Sequence, residues 1–156
     1  MAVGIRGCQW LAPPAEMASE ALAQRDYQVL RVVDGDTFLL ENRTRVRLIG
    51  VDAPETVKPN SPVEPWGPEA SRFTHQFLDG QRVRLEFDHE RHDRYGRLLA
   101  YVWLGHRMLN EELLRAGLAR YEPHYDYSPA KKALFRRLEG EARAAHCGIW
   151  STAAGK

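Results

Sequence analysis

Residues 26–51 read DYQVLRVVDGDTFLLENRTRVRLIGV, and this stretch decides the fold. Three runs rich in apolar and β-branched residues predict three consecutive β-strands, Tyr27–Val33, Thr37–Glu41 and Thr44–Val51. Asp34-Gly35-Asp36 between the first two runs is a turn signal, and Asn42-Arg43 is a short polar connection. Strands joined this closely pair as an antiparallel meander.

The chain beyond the meander alternates helical and strand patterns. Three helices are predicted: one from Gly67 to a stop at Gly80, one over Met108–Ala116 capped by Gly117, and one over Pro129–Ala145. Two further strands are predicted over Val83–Phe87 and Leu98–Leu104. Five strands with helices inserted late predict a mainly β plus α chain, a five-stranded OB-fold β-barrel with three peripheral α-helices.

Length and composition fit one globular domain. The chain has 156 residues, 44% hydrophobic and 28% charged, which is ordinary for a globular protein with its own core. We expect residues 1–25 to be an N-terminal extension that could be flexible, residues 26–151 to be the domain, and residues 152–156 to be a tail. No run approaches the ~18–20 apolar residues of a membrane span, so no membrane association is expected.

Charge and cysteine content leave two questions open. The net charge is +1, so any binding of a polyanion must depend on where the charges lie. The cations are 18 Arg and 4 Lys, a ratio that suits bidentate phosphate binding but that codon bias would also produce. Cys8 and Cys147 match no zinc-site spacing, and they could form one disulfide or remain separate thiols.

Four acidic residues lie where strands end. Asp34 and Asp36 flank a glycine at the first turn, whereas Asp52 and Glu55 follow the third strand, which Pro54 terminates. The intervening hairpin returns the chain, so Asp36 and Asp52 are expected at neighbouring strand ends. Carboxylates this close would repel, and their oxygens suit a hard cation such as Ca²⁺. By itself, Asp-Gly-Asp is also a common hairpin turn.

Two basic segments accompany these acids. Arg45 and Arg47 alternate with Val46 and Leu48, and a solvated strand face is a fair interpretation for Arg45. The loop Asp93-Arg94-Tyr95-Gly96-Arg97 precedes the strand at Leu98. Two guanidiniums and a tyrosine ring suit contact with a phosphate and a base or sugar, although the loop alone could be a polar hairpin.

The order and spacing of these segments resemble the staphylococcal nuclease (thermonuclease) family along nearly all of residues 27–150. The matching segments are Val33–Thr37, Val46–Leu48, Val51–Thr56, Trp66–Ser71, Asp93–Arg97, Asn110-Glu111, Gly117–Ala119 and Ile149-Trp150. So many matches in the same order make a chance similarity very improbable.

The resemblance implies a role for each site residue. Asp36 and Asp52 correspond to the side-chain ligands of the catalytic Ca²⁺, and Ala53 to the residue that supplies a backbone carbonyl. Asp34 lies behind these ligands, near the metal. Glu55 corresponds to the proposed general base, and the guanidiniums of Arg47 and Arg97 to the pair that grips the phosphate.

The resemblance also implies a substrate-binding set, in which this chain departs from the family. Arg94 replaces a lysine that contacts the nucleotide, Tyr95 follows it, and Lys58 is the only cation of the proline-rich loop 57–65. The tyrosine that contacts the terminal phosphate falls on Pro123 in an ungapped count. Tyr125 or Tyr121 could replace it, and Tyr125 is our prediction.

The resulting hypothesis is a Ca²⁺-dependent endonuclease that cleaves single- and double-stranded DNA and RNA, leaves 3′-phosphate ends, and acts as a monomer. One alternative is a non-catalytic binding module of the same fold, although such modules typically lose the acidic and arginine residues present here. Another is an OB-fold binder of oligosaccharide or protein, in which the carboxylates hold structural calcium.

The compartment is predicted from chemistry. Met1–Leu11 lacks the sustained apolar stretch of an intact signal peptide. A secreted or periplasmic location is nevertheless favoured over the cytoplasm, because exposed nuclease activity is hazardous inside a cell and millimolar calcium is found outside cells.

Overall fold

The computed structural model describes residues 26–57 and 59–151. The strands in this part of the chain are β1 (Asp26–Asp34), β2 (Thr37–Leu40), β3 (Arg45–Leu48), β4 (Val51–Asp52), β5 (Arg82–Glu86), β6 (Leu98–Leu104), β7 (Arg107–Met108) and β8 (Arg120–Tyr121). The helices are α1 (Gly67–Leu78), α2 (Leu109–Arg115) and α3 (Pro129–Ala144), followed by a 3₁₀ turn (Gly148–Trp150). Cys8, Lys58, the N-terminal extension and the tail lie outside the described residues.

The five longer strands close into a barrel. They are hydrogen-bonded in the order β3-β2-β1-β5-β6, and β3 then pairs in parallel with β6, with Val46 opposite Leu98. Inward side chains such as Phe38, Leu85 and Val102 are fully buried and fill the interior. This architecture confirms the predicted five-stranded OB-fold barrel with three helices.

The third strand was predicted wrongly as one element over Thr44–Val51. β3 ends at Leu48, and Val51–Asp52 forms the separate strand β4, which pairs with β8. The cause is Gly50, whose φ of +78° breaks the extended path. A Cβ on Gly50 would lie 2.6 Å from the Phe135 ring, so α3 packs directly against this turn. Asp52 therefore lies in a short two-stranded antiparallel sheet that is separate from the barrel.

The buried side chain of Asn110 fixes this turn from the other side. Its amide donates to the carbonyl of Ile49 at 2.9 Å, and its carbonyl accepts from the backbone nitrogen of Val102 at 3.0 Å. Asn110 is at the start of α2, which begins at Leu109 rather than at the predicted Met108, because Met108 pairs with Trp103 in β7. The α2 helix thereby connects the barrel wall to the turn that aims Asp52.

Helices α1 and α3 follow their predicted signals. Pro68 lies in the first turn of α1, and Gly80, with a φ of +72°, follows its end. Ser128 caps α3 by accepting from the backbone nitrogen of Lys131. Within residues 26–57 and 59–151, each helix is too short or too polar to cross a bilayer.

Candidate active site

Arg47 lies at the centre of the acidic cluster. Its side chain is buried, with the residue 5% exposed, and its Nη2 lies 3.4 Å from Oδ2 of Asp36 and 3.2 Å from Oδ1 of Asp52. Its Nη1 donates to the backbone carbonyls of Leu48 at 2.5 Å and Val51 at 2.6 Å. The two carbonyls and two carboxylates hold the guanidinium in one orientation, between the barrel and the β4 ladder.

Antiparallel pairing of β2 and β3 brings Asp36 to this guanidinium. Thr37, the first residue of β2, pairs in register with Arg47 of β3. Asp36 directly precedes Thr37 and therefore lies beside Arg47. Asp36 is 7% exposed; its Oδ2 accepts from the backbone nitrogen of Ala53 at 2.8 Å, and its Oδ1 from the Thr37 hydroxyl at 3.0 Å. The predicted meeting of Asp36 and Asp52 is therefore present in the structure.

The Asp34-Gly35-Asp36 turn is packed inside the protein. A Cβ on Gly35 would lie 2.8 Å from the Cβ of Ala53, which requires glycine for this close approach. Asp34 is buried, and its Oδ1 accepts from the Gly35 nitrogen at 2.9 Å and from the Thr56 hydroxyl at 2.6 Å. The turn thus holds in place the segment that carries Ala53 and Glu55. It is a buried part of the site and not a simple exposed hairpin.

Glu55 is a half-buried carboxyl whose affinity for protons is unusually high. Burial, a hydrogen bond with the Asp34 carboxyl, and the negative charges of Asp34, Asp36 and Glu64 raise the pKa of Glu55 to about 7. Its backbone nitrogen donates to Oε2 of Glu64 at 2.8 Å, which positions the chain just after Pro54. A carboxyl with a pKa near neutrality is well matched to general-base work.

The surroundings of Asp52, like those of Glu55, disfavour the ionised form of its carboxyl. Burial and the charge of Asp36 raise the pKa of Asp52, and Arg47 only partly offsets them. Its side chain remains 56% exposed at the mouth of the site. Because the charge of Asp36 disfavours ionisation of the Asp52 carboxyl, the site creates a demand for a further cation.

A cleft of about 250 Å³ brings these groups together. It is lined by Asp34, Asp36, Arg47, Asp52, Glu55 and Arg97, among others. Over residues 26–57 and 59–151, no three acidic, histidine or cysteine side chains converge closely enough to hold a metal by themselves. Two carboxylates with only oxygen donors nevertheless fit a hard cation, since Ca²⁺ completes its shell with backbone carbonyls and water.

Arg97 lies at the end of the β5–β6 connection and lines the same cleft as Arg47. Its Nε donates to Oδ2 of Asp93 at 2.5 Å, and its backbone nitrogen to Oδ1 of Asp93 at 3.0 Å. Burial alone would raise the pKa of Asp93, but hydrogen bonds from Arg97 and from the Tyr95 nitrogen lower it below its ordinary value. The ionised Asp93 therefore holds the Arg97 guanidinium in place at the cleft.

Comparison with known proteins identifies the family of this chain. The profile of the family described as Staphylococcal nuclease homologue matches residues 45–152, well over half of the chain. The chain belongs to the staphylococcal nuclease family. It is 48% identical over 134 residues to a Thermonuclease of Staphylococcus hyicus, which covers 82% of this chain and 77% of that protein.

Two further relatives agree with this assignment. A Thermonuclease of Staphylococcus intermedius is 48% identical over 143 residues, covering 88% of this chain and 83% of that protein. The Endonuclease YncB of Bacillus subtilis is 42% identical over 127 residues, covering 78% of this chain and 59% of that protein. The family resemblance read from the sequence motifs is thereby confirmed.

The staphylococcal nuclease resemblance also pointed to a substrate-binding set, most of which lies near Arg97. Tyr95 is 67% exposed, and its ring centre lies 4.8 Å from the Arg94 guanidinium and 5.4 Å from that of Arg97. Arg94 also donates to the Tyr95 hydroxyl at 2.6 Å. These three side chains form an aromatic and cationic surface beside the cleft.

Tyr125, rather than Tyr121, is the tyrosine whose hydroxyl is within electrostatic reach of Arg47 and Arg97. Burial raises the pKa of Tyr125, while the positive charges of Arg47 and Arg97 act in the opposite direction. Tyr121 lies in β8, with the Arg136 guanidinium of α3 at 5.7 Å from its ring centre. The two candidates from the sequence are therefore separated by their positions.

Three positioning side chains were missed in the sequence. The hydroxyls of Thr37 and Thr56 hold Asp36 and Asp34, and Glu64 holds the backbone of Glu55. Both threonines adjoin the acidic motifs, so their chemistry was a usable signal. Glu64 lies in a proline-rich loop without periodicity, and no sequence signal identified it. Arg45, interpreted as part of a solvated face, is exposed but also lines the cleft.

Proposed function

We propose that this chain is a Ca²⁺-dependent endonuclease that hydrolyses phosphodiester bonds of DNA and RNA and leaves 3′-phosphate ends. By its family and by the thermonucleases and endonuclease that it resembles, the chain is a nuclease. One observation carries the finer proposal: Arg47 is buried between Asp36 and Asp52 at the wall of a cleft shared with Glu55 and Arg97.

The metal-binding residues in this proposal are Asp36 and Asp52, with the backbone carbonyl of Ala53 and with Asp34 behind them. When bound, the ion supplies Lewis-acid polarisation of a phosphate oxygen and offsets the repulsion between the carboxylates. The oxygen-only donor set and the raised pKa of Asp52 support this assignment.

The chemical step assigns one task to each remaining side chain. Glu55 accepts a proton from the attacking water, whose oxygen forms a bond to phosphorus. The bond from phosphorus to the 5′ oxygen breaks, and the 3′-phosphate remains on the other fragment. Arg47 and Arg97 stabilise the charge that grows on the phosphate oxygens, and Arg97 assists the departing oxygen. The pKa of Glu55 near 7 supports its role as the base.

Nucleic acid, single- or double-stranded, is bound through phosphates and a stacking ring. Arg94, Tyr95 and Tyr125 contact the strand, together with Lys58 of the neighbouring loop. Affinity then falls as salt concentration rises, because phosphate contacts release counterions. We also propose that the chain acts as a monomer outside the cytoplasm, where calcium is abundant.

The test is cleavage of single-stranded DNA with Ca²⁺, with EDTA, and by the Glu55→Gln variant. We expect cleavage by the wild type, none in EDTA, and a loss of about 10²–10⁴-fold in kcat for the variant. Glu41→Gln, at an exposed position away from the cleft, is the matched control and should retain full activity. Intact calcium binding without cleavage by the wild type would refute the catalytic proposal, and unchanged cleavage by Glu55→Gln would remove that residue from its role.

A further inference from the structure

A second cleft opens next to the catalytic one. Its volume is about 420 Å³, which lies within the roughly 300–1,000 Å³ typical of small-molecule sites. Asp52 lines both clefts, so they are neighbours on one surface. The walls of the second cleft include Pro54, Trp66, Arg120 and Ile149, and none of these four lines the first.

Trp66 stands at the wall of this cleft in a strained backbone conformation. Its φ of 69° and ψ of 0° place a bulky residue in the left-handed region, which side chains of this size rarely adopt. The tryptophan precedes α1, and Gly67, next along the chain, packs against Thr56 and the carbonyl of Glu55. The strained residue is thus held next to the segment that carries Glu55. Its aromatic ring lies beside the second cleft.

Arg120 supplies the cation of the second cleft. It pairs in register with Asp52 across β4 and β8, and its guanidinium lies 4.6 Å from the ring centre of Trp150. Arg143 approaches the same ring at 4.1 Å. Among the ion pairs formed within the described ranges, Arg143 bonds Glu139, whereas none includes Arg120. The charge of Arg120 is therefore exposed and available to a ligand.

Resting on the proposed nuclease function, we propose that the second cleft is a nucleotide subsite of the same active site. A strand that meets Tyr95 and Arg94 at the Arg97 end of the catalytic cleft leaves it past Asp52. The next nucleotide then lies in the second cleft, with its base against Trp66 and its phosphate at Arg120. Asp52 and Glu64 also line this cleft, but their carboxylates would repel a phosphate, so among the lining residues Arg120 is the one that can receive it.

The test compares a long and a minimal substrate. A twelve-nucleotide single strand reaches both clefts, whereas bis(p-nitrophenyl) phosphate carries one phosphodiester and no nucleotide. Arg120→Gln should raise KM for the twelve-mer about tenfold and leave kcat/KM for the small diester unchanged. Arg143→Gln is the matched control, because it removes the other cation over Trp150 without altering the cleft, and both parameters should stay at wild-type values.

Binding measured without turnover keeps this proposal separate from the nuclease assignment. Fluorescence anisotropy of a labelled twelve-mer in EDTA should show weaker binding by Arg120→Gln. The slope of log K against log salt should become shallower by about 0.7, the value for one phosphate contact on a single strand. Trp66→Asn, which suits the left-handed backbone, should weaken binding about tenfold without changing the salt slope.

Three results would overturn the subsite. These are equal losses on both substrates, twelve-mer binding by Arg120→Gln equal to that of wild type, or an equal effect of Arg143→Gln. A wild type that binds the twelve-mer through Arg120 yet cleaves neither substrate would support the subsite and refute the proposed catalytic function instead.

Discussion

The carboxylate of Asp36 accepts a hydrogen bond from the backbone nitrogen of Ala53 at 2.8 Å, across 17 positions of the chain. This contact joins the turn after β1 to the segment after β4, which are the two halves of the proposed calcium site. Because the hydrogen bond joins the Asp36 side chain to the Ala53 backbone, the fold itself holds these two proposed calcium ligands in place. Such preorganisation reduces the cost of binding a cation.

Asp36→Asn separates the charge of this residue from its hydrogen bonds. The asparagine carbonyl can still accept from the Ala53 nitrogen, whereas the loss of negative charge weakens cation binding. We expect calcium affinity to fall by more than about tenfold, with the free energy of unfolding of the metal-free protein changed by less than about 1 kcal/mol. Calorimetric calcium titration and urea unfolding measure the two quantities. The exposed Asp79→Asn is the control, and wild-type calcium affinity in Asp36→Asn would exclude this residue as a ligand.

Arg47→Lys tests whether the buried guanidinium does more than carry charge. A lysine cannot bond two backbone carbonyls and two carboxylates together, so buried acceptors would lose their partners. We expect a loss of about 2–4 kcal/mol in the free energy of unfolding and a fall of about 10²–10³ in kcat. Arg31→Lys, exposed on β1, should change neither quantity. An Arg47→Lys variant as stable as the wild type would contradict the structural part of this prediction.

Asp93→Asn has a pH-dependent effect on stability with a defined sign. The pKa of Asp93 is lowered in the folded protein, so its ionisation stabilises the fold above the ordinary carboxyl pKa. That contribution is lost as pH falls from about 4 through the folded pKa. We expect the variant to be about 1–2 kcal/mol less stable than wild type at pH 7 and the difference to narrow at pH 2. Guanidinium unfolding at both pH values checks this, and a difference that persists undiminished in acid would contradict it.

Glu55→Gln should stabilise the metal-free protein at high pH. The pKa of Glu55 is raised to about 7, so the stability linked to its proton is present below the unfolded pKa and lost as pH rises through about 7. Above pH 7 the neutral glutamine avoids this loss, and we expect a gain of about 1–2 kcal/mol after allowance for solvent screening. Thermal unfolding in EDTA at pH 5 and pH 8.5 measures it. Equal stability of both proteins at pH 8.5 would mean that the carboxylates do not repel as the structure indicates.

Gly50→Ala and Gly80→Ala separate backbone strain from steric clash. Both glycines have positive φ, but only at Gly50 would the added Cβ meet another group, the Phe135 ring at 2.6 Å. Gly80→Ala should cost about 1 kcal/mol, the strain alone, and Gly50→Ala about 3 kcal/mol or more. Gly50→Ala should also lower activity, because the turn aims Asp52. Urea unfolding of the pair measures the difference, and equal costs would show that the ring moves aside freely.

Much of the fold was predictable because its signals are local. The alternation of β1 to β3, the proline and glycine boundaries of α1, and the length of β6 depend on neighbouring residues only. The meeting of Asp36 and Asp52 was also predictable, since a two-strand hairpin returns the chain to its starting end. The end of the third strand was not, because the apolar run through Gly50 conceals a turn that packs against α3 and is held by Asn110 of α2.

The sequence by itself determined the order of the five longer strands and the three helices, the family, and the residue types of the site: oxygen donors, two guanidiniums and a carboxyl that we propose as the general base. The tertiary structure alone decided that Glu64 holds Glu55, that Tyr125 is within electrostatic reach of Arg47 and Arg97, and that Trp66 and Arg120 share a cleft with Asp52. Periodicity specifies which face of an element a residue occupies. The distance between segments far apart in the chain is set only when the barrel closes and the helices pack against it.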